Sequence, residues 1–248
     1  MPTPDLQIRN HVATITLRRP EQANRLEPQD LAAIGEHIAE VNARAEVLVL
    51  RLQSLGKYFC SGFDINQIGA ARTVSFEQLV DAMEAARPVT VAVIQGGVYG
   101  GATDLALACD FRLGAASVDM FMPAARLGLH YYQSGLERYV SRLGVDTAKR
   151  LFLTAQKMDA PEMRACGFLT QLVADADLAT AADELTNTLA SMAPLALLGM
   201  KKHLNALARG RLDLASLAQD IARAAHSADL KEGQAAWQAR RAAKFTGA

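Results

Sequence analysis

The sequence predicts an α/β fold in which much of the strand pairing is parallel. Apolar runs rich in β-branched residues, at residues 47–52 and 89–94, each precede a glycine turn that opens a helix. Strands that alternate with helices in this way are typical of layered α/β domains. Both turns would lie at the carboxyl ends of their strands, where open α/β sheets bind ligands.

The amino-terminal part is predicted to form a hairpin followed by an amphipathic helix. Residues 6–8 and 12–17 alternate apolar and polar side chains on either side of a short polar turn, as in a β-hairpin. One helix face is then marked by four apolar residues at helical spacing, Leu31, Ile34, Ile38 and Val41. The turn at Gly62 and a helix at residues 76–86 come next.

The strand–turn–helix unit at residues 87–115 is the best candidate for a ligand site. Its glycines, up to Gly101, let the backbone turn sharply, and Asp104 lies one turn into the helix that follows. Because the first N–H groups of a helix have no partner within it, they can bind an anion. The turn at Gly62 could supply a second N–H to the same oxygen. The alternative is that the glycines only form turns and the two units merely look alike.

The chain becomes largely helical from Ser134 onward. The first of these helices is expected to end at Gly144, and Asp146 is in position to cap the helix after it. The apolar face of the first helix is predicted from four residues, Leu136, Tyr139, Val140 and Leu143.

We divide the chain into two regions on this pattern. Residues 1–190 form the predicted α/β core with the ligand site, and residues 191–248 form a carboxyl-terminal helical region. The helices of the second region carry apolar stripes. Those stripes must cover either the body of the same chain or a neighbouring subunit.

Composition excludes several classes of function. The 26 lysines and arginines balance 26 aspartates and glutamates, so no net charge recruits nucleic acid or an acidic membrane. The three cysteines have no metal-ligand spacing, so we expect reduced thiols and no metal site. No run approaches the roughly 20 apolar residues of a membrane span, and the first residues do not read as a signal peptide. We therefore expect a soluble, cytoplasmic protein.

Six stretches stand in the order and spacing of one known family. They are residues 17–24, 59–65, 87–115, 122–123, 127–135 and 232–241. Together they resemble the enoyl-CoA hydratase/isomerase (crotonase) superfamily over nearly the whole chain. The resemblance implies a spiral of ββα units, a helical trimerisation region, and a homotrimer or dimer of trimers. It also implies an acyl-CoA thioester as substrate, with coenzyme A entering only as part of that thioester and no other cofactor.

The resemblance assigns the reaction centre to two backbone N–H groups, those of Phe63 and Gly101. In the family such a pair holds the thioester oxygen and stabilises the enolate that forms, which is usually the largest catalytic contribution. The residues expected along coenzyme A are Arg25, Ser61, Asp64, Ile65, Lys244 and Phe245. The last two would come from the tail of a neighbouring subunit. For Arg25 and Lys244 the alternative is an ordinary solvated charge.

The chain departs from the family at the two glutamates that hydratases use as general acid and base. The first position is Asp104, a carboxylate one methylene shorter, and the second falls on Ala124. Losing a general acid or base typically costs 10²–10⁴ in rate. Efficient hydration by the usual route is therefore not expected, although Asp104 alone could still shuttle one proton in an isomerisation. Asp104 could instead merely cap its helix.

The segment at residues 127–135 looks like that of the methylmalonyl-CoA decarboxylase branch, whose active-site tyrosine matches Tyr131. Loss of CO₂ generates the enolate directly, so the site needs no base. It needs only the oxyanion hole, a group that orients the carboxylate, and a proton donor such as Tyr131 or His130. That branch has histidine at Phe63 and glutamate at Asp104.

We therefore favour decarboxylation of a malonyl-type CoA slightly over hydration or isomerisation of an enoyl-CoA. A non-catalytic acyl-CoA-binding paralogue is the alternative from a different class. At the level of single residues, Tyr131 and Tyr132 could be packing residues and His130 could be structural.

Overall fold

The computed structural model describes residues 3–67 and 74–248, and within these ranges strands and helices alternate along the chain. The strands are β1 (Asp5–Arg9), β2 (Val12–Leu17), β3 (Val49–Ser54), β4 (Val89–Ile94), β5 (Val98–Tyr99), β6 (Phe111–Ala115), β7 (Asp119–Phe121), β8 (Met158–Asp159) and β9 (Gln171–Val173). The helices are α1 (Pro28–Ala43), α2 (Phe76–Glu84), α3 (Gly101–Ala108), α4 (Gln133–Leu143), α5 (Val145–Thr154), α6 (Ala160–Ala165), α7 (Leu178–Ala190), α8 (Pro194–Ala208), α9 (Leu214–Ala225) and α10 (Ala228–Ala239).

The main sheet has six strands in the order β1-β2-β3-β4-β6-β9. Strand β1 is antiparallel to β2, as the predicted hairpin requires, and every other neighbouring pair is parallel. All six residues of β4 are buried. This is the pattern of a central strand that is covered by other elements on both faces. The predicted α/β fold with mostly parallel pairing is confirmed.

A smaller sheet carries the glycine turn at Gly101. It has the order β5-β7-β8, with β5 parallel to β7 and β7 antiparallel to β8. The N–H of Gly100 donates to the carbonyl of Phe121 at the end of β7, 3.0 Å away. The turn between β5 and α3 is thereby fixed to a sheet on one side.

Helix α1 buries the four predicted apolar residues, but helix α4 differs from the prediction. Leu136 and Val140 are exposed, whereas Arg138 is fully buried beside Tyr139. The helix is turned so that this arginine faces α3, where it finds a carboxylate partner. The cap predicted at Asp146 is wrong: α5 begins at Val145, and Asp146 lies inside its first turn. There a carboxylate still interacts favourably with the helix dipole.

The carboxyl-terminal helices leave many large apolar side chains uncovered. Those exposed by 60% or more on α8, α9 and α10 are Met200, Leu204, Leu207, Leu214, Ile221 and Trp237. A cleft of about 1240 Å³ lies beside α8 and is lined also by residues of α2, α4, α9 and the carboxyl-terminal tail. Within the described ranges, no helix has the length and apolar character needed to cross a bilayer.

Candidate active site

The two glycine turns predicted to share one oxygen lie against each other. A short parallel bridge joins Cys60 to Val98, and the N–H of Tyr99 donates to the carbonyl of Cys60 at 3.0 Å. Gly62 has a φ of +96°, and a methyl group there would lie 2.8 Å from Tyr99 O and 3.2 Å from Gly101 N. Only glycine combines this left-handed backbone with so close an approach. Gly62 immediately precedes Phe63, so the two residues predicted to form the oxyanion hole, Phe63 and Gly101, lie where the two turns meet, and their role stays a prediction.

Aromatic side chains pack against Gly101. A methyl group at Gly101 would come within 2.7 Å of Phe76 Cζ, at the start of α2. The ring of Phe76 also neighbours those of Phe63 and Tyr132, with centroids 6.1 and 6.5 Å away. Three aromatic rings therefore lie beside the two turns, where the reacting acyl group is expected.

Asp104 is completely buried, and each of its oxygens accepts from a hydrogen-bond donor. Oδ1 accepts from Arg138 Nη1 at 2.7 Å. Oδ2 accepts from the hydroxyl of Tyr131 at 3.0 Å and from that of Tyr132. Asp104 makes no side-chain cap to its own helix, so the alternative that it merely caps α3 is wrong. In this arrangement Asp104 serves as an acceptor for three donors.

Tyr131 and Tyr132 form a stacked pair of rings beside Asp104. Their ring centroids are 4.5 Å apart and their planes 21° apart. Both rings lean on Gly135, where a methyl group would lie 2.4 Å from a carbon of Tyr131. Burial, followed by the charge of Asp104, raises the pKa of both phenols well above the ordinary value of 10. Both phenols therefore stay protonated and act as hydrogen-bond donors.

The two tyrosines face different surroundings. The ring of Tyr131 packs on Phe152 and Tyr139 on the core side, with centroids 4.9 and 6.2 Å away. Tyr132 instead contacts Phe76, the ring that covers Gly101. Both tyrosines pack and also bind Asp104, so packing alone does not account for them.

The other predicted reaction residues are less well supported. His130 is exposed on its loop. Among the described residues, the hydrogen-bond partner of its ring is the carbonyl of Tyr131, 2.8 Å from Nδ1. Its catalytic role stays a prediction. Ala124 is buried. The residue before it, Pro123, lies close to the glycine turn, because its Cδ is 3.9 Å from the position that a methyl group on Gly100 would take. The position of the second glutamate is thus a methyl group in an apolar corner.

The coenzyme A residues predicted in the first third of the chain come together at one edge. Ser61 N donates to Ala23 O at 2.9 Å, and Asp64 N donates to Leu26 O at the same distance. Arg25 Nη2 lies 3.6 Å from Asp64 Oδ2. Ile65 projects beside them and is 56% exposed. The structure therefore brings Arg25, Ser61, Asp64 and Ile65 into one surface, and their role toward coenzyme A stays a prediction.

Asn24 holds this edge in place. Its amide donates to the carbonyls of Leu55 and Tyr58 at 2.8 and 2.9 Å, and its oxygen accepts from Arg19 N at 2.9 Å. One side chain thus fastens the loop after β2 to the loop after β3.

Lys244 and Phe245 lie with the carboxyl-terminal helices of their own chain. Lys244 N donates to Glu232 Oε1 at 2.8 Å, while its side chain is exposed. The ring of Phe245 packs against Gly233 of α10. Their predicted approach to coenzyme A concerns a neighbouring subunit, and it stays a prediction.

Cys60 lies beside the glycine turns but is not a nucleophile. It is fully buried, and burial raises the pKa of its thiol to about 12. Its Sγ donates to Asn24 O at 3.0 Å, so it supports the edge that Asn24 organises. In the described part of the chain, no group of three or more His, Cys, Asp or Glu residues could hold a metal ion.

No site role was predicted for three residues that the structure brings to the site, Phe76, Tyr132 and Arg138. The sequence signal that could have found Tyr132 is its position next to Tyr131. No sequence signal pointed to Arg138, because a lone arginine in an amphipathic helix normally faces solvent. The contact of Phe76 with Gly101 joins residues 25 positions apart across two helices, and no local pattern reports it.

Comparisons with known proteins agree on one family. A family model described as enoyl-CoA hydratase/isomerase matches residues 7–248. The chain is 30% identical to enoyl-CoA hydratase domain-containing protein 2, mitochondrial, of Mus musculus, over 99% of this chain and 90% of that protein. It is 27% identical to the short-chain-enoyl-CoA hydratase of Clostridium acetobutylicum, over 81% and 80% of the two chains.

A solved structure extends the likeness to the fold. The enoyl-CoA hydratase from Bacillus anthracis superposes with a TM-score of 0.85 at 27% identity, covering 100% of both chains. This likeness confirms the predicted crotonase-type α/β fold with a carboxyl-terminal helical region.

Proposed function

Because the chain belongs to the enoyl-CoA hydratase/isomerase family, and is therefore an acyl-CoA enzyme of lyase or isomerase type, we propose that it decarboxylates a malonyl-type CoA. The reaction passes through a thioester enolate held by the backbone N–H groups of Phe63 and Gly101. Preorganised donors of this kind usually make the largest contribution to catalysis, about 2.7–4 kcal/mol for a single donor.

The observation that carries the proposal is the set of partners around Asp104. Arg138, Tyr131 and Tyr132 all donate to it, and Ala124 occupies the place of the second carboxylate. The standard hydratase of this family uses two glutamates as general acid and base around one water, and losing one such group typically costs 10²–10⁴ in rate. This site offers one carboxylate, already bound by donors, together with two protonated phenols. It is better suited to a reaction that needs a proton donor than to one that needs a base.

Decarboxylation needs a proton donor and needs no base. The bond between the α-carbon and the carboxylate breaks, CO₂ leaves, and the electron pair moves into the thioester to give the enolate. The hydrogen bond from one phenol to Asp104 then breaks, that phenol transfers its proton to the α-carbon, and the resulting phenolate recovers a proton from water. Tyr132 is our candidate for this donor because it contacts Phe76, which covers Gly101. Tyr131, which packs on the core side, is then the candidate for holding Tyr132 and Asp104 in place.

Hydration or isomerisation of an enoyl-CoA is the second candidate function. The relatives from Clostridium acetobutylicum and Bacillus anthracis are named enoyl-CoA hydratases. In this chain such a reaction would have to use Asp104 alone as acid and base.

For the coenzyme A portion, we propose the edge formed by Arg25, Ser61, Asp64 and Ile65. Lys244 and Phe245 of a neighbouring chain would complete it. This arrangement requires an oligomer, and we propose the homotrimer or dimer of trimers that the resemblance implies.

The test is a mass-spectrometric assay of the purified protein with methylmalonyl-CoA and with crotonyl-CoA, side by side. We expect a mass loss equal to CO₂ from the first and no change in the second. Addition of water to crotonyl-CoA alone would overturn the decarboxylase assignment in favour of the second candidate. If neither compound changes, turnover of a wider set of acyl-CoA thioesters would indicate an enzyme for another acyl group, whereas binding of coenzyme A in a calorimetric titration without any turnover would indicate a non-catalytic binder.

A further inference from the structure

We propose that Arg138 is the positioning residue of the active site, which orients Asp104 toward the two phenols and is itself held by Glu84. This inference rests on one part of the proposed function, namely that Asp104 belongs to the active site. It does not depend on which acyl-CoA the protein turns over. The motifs of the sequence assign no role to Arg138 or to Glu84.

The contacts of Arg138 are those of an orienting group. Its side chain is completely buried on α4, and Nη1 donates to Asp104 Oδ1 at 2.7 Å. Nη2 donates to Asp81 at 2.7 Å, and Nε lies 3.2 Å from Glu84 Oε1. With Oδ1 of Asp104 fixed by the guanidinium, Oδ2 is left to accept from Tyr131 and Tyr132. One arginine thus decides which carboxylate oxygen meets the phenols.

Stability alone does not account for so deeply buried an arginine. The desolvation of two buried charges often costs as much as their attraction returns, so a buried ion pair is weak support for a stabilising role. Orientation is a better account, because the planar guanidinium fixes a carboxylate in a way that a lysine ammonium does not. Burial alone would lower the pKa of Arg138, but Asp104 and Glu84 more than offset this and raise it.

Glu84 holds Arg138 from the far side. It is the last residue of α2, and its carboxylate also binds Arg142, 3.3 Å away on α4, and Arg209, the residue after α8. Arg209 Nη1 in turn donates to Ser134 O at 2.7 Å, at the start of α4. Glu84 therefore ties α2, α4 and the end of α8 together around Arg138.

The test compares Arg138→Gln with Arg142→Gln. Both arginines lie on α4 and both contact Glu84, but of these two only Arg138 forms an ion pair with Asp104. We expect R138Q to lower kcat by about tenfold or more, with KM for the acyl-CoA changed by less than about threefold. R142Q should keep the kcat of the parent protein. R138K, which retains the charge but not the planar fork, should recover part of the loss.

A double-mutant cycle with Asp104→Asn separates positioning from simple structural support. If Arg138 acts through Asp104, R138Q should lower kcat no further once D104N is present. Equal and additive losses in the two backgrounds would overturn the proposal, as would a kcat for R138Q equal to that of the parent. The assay uses whichever acyl-CoA the protein turns over, so a failed decarboxylase assignment does not decide this result.

Near-ultraviolet circular dichroism gives a readout that does not depend on turnover. The stacked pair of Tyr131 and Tyr132 is held by Asp104, so R138Q and D104N should change the tyrosine signal in the same way. The double variant should show no further change, and R142Q should match the parent protein. A tyrosine signal that is unaltered in folded R138Q would overturn the proposal. Thermal unfolding of each variant identifies any that fails to fold, and R138K then replaces R138Q in both cycles.

Discussion

At the scale of single residues, the site is built from groups whose chemistry was visible in the sequence and whose partners were not. Asp104 was recognisable as a carboxylate beside a glycine turn, and Tyr131 as an aromatic at a site position. Their partnership depends on a chain reversal that joins positions 27 and 28 residues apart. The sequence therefore predicted the inventory of the site better than its connections.

The phenols provide the first prediction. Replacing Tyr132 by Phe removes the proposed proton donor but leaves the ring that contacts Phe76, so kcat should fall by about 10² or more. Tyr131→Phe should lower kcat less, because Tyr131 packs on the core side of the pair. Steady-state kinetics with the accepted acyl-CoA measures both.

Tyr99→Phe is the matched control for the tyrosine variants. Its hydroxyl donates to Asp119 at 2.6 Å, away from Asp104, and its loss should leave kcat within about threefold of the parent value. If Y131F lost more activity than Y132F, the assignments of the two phenols would have to be exchanged.

At the scale of elements, regular patterns predicted their structures well. The hairpin, the buried strands and α1 follow from apolar periodicity, because their side chains face either a core or solvent. Helix α4 breaks that rule, since Arg138 faces the interior while Leu136 and Val140 face solvent. The reason is electrostatic: a buried carboxylate on α3 and two acidic residues on α2 supply partners that no local window of sequence contains.

Glu84 makes this electrostatic contribution measurable as a dependence of stability on pH. Burial alone would raise its pKa, but Arg138, Arg209 and Arg142 lower it below the ordinary value of 4.5. A carboxyl with a lowered folded-state pKa stabilises the fold above its unfolded pKa, and the stabilisation is lost as pH falls through the folded value. Glu84→Gln should therefore destabilise the protein at pH 7, and the difference from the parent should shrink below about pH 4.5.

Urea unfolding between pH 7 and pH 3 measures that difference. Glu36→Gln on α1 is the control, because Glu36 is exposed and has no ion pair among the described residues. Its free energy of unfolding should follow the parent at every pH. A constant difference between E84Q and the parent across this range would show that the ion pairs of Glu84 do not stabilise the fold.

At the scale of the whole molecule, the open question is what covers the carboxyl-terminal helices. The apolar stripes of these helices were evident in the sequence, but an amphipathic pattern does not say which surface it meets. In the single chain the stripes remain largely exposed. The side chain of Trp237, for example, is 87% exposed. A patch of this kind on a protein surface marks an interaction site. The proposed trimer would cover it with copies of the same chain.

The last prediction follows from that covering. Trp237→Glu places a charge where the proposed trimer would bury an aromatic side chain, so it should shift the protein from trimers or hexamers toward single chains. Light scattering during size-exclusion chromatography measures the mass. Leu153→Glu on α5 is the control, because Leu153 is 72% exposed but lies outside the carboxyl-terminal helices, and its mass should equal that of the parent.

The same variant connects assembly to function. If Lys244 and Phe245 reach coenzyme A only from a neighbouring subunit, W237E should also bind coenzyme A more weakly, by about tenfold for a loss of about 1.4 kcal/mol. Isothermal titration with coenzyme A measures this in both variants. A W237E protein that becomes monomeric yet binds coenzyme A as tightly as the parent would show that the site is complete within one chain.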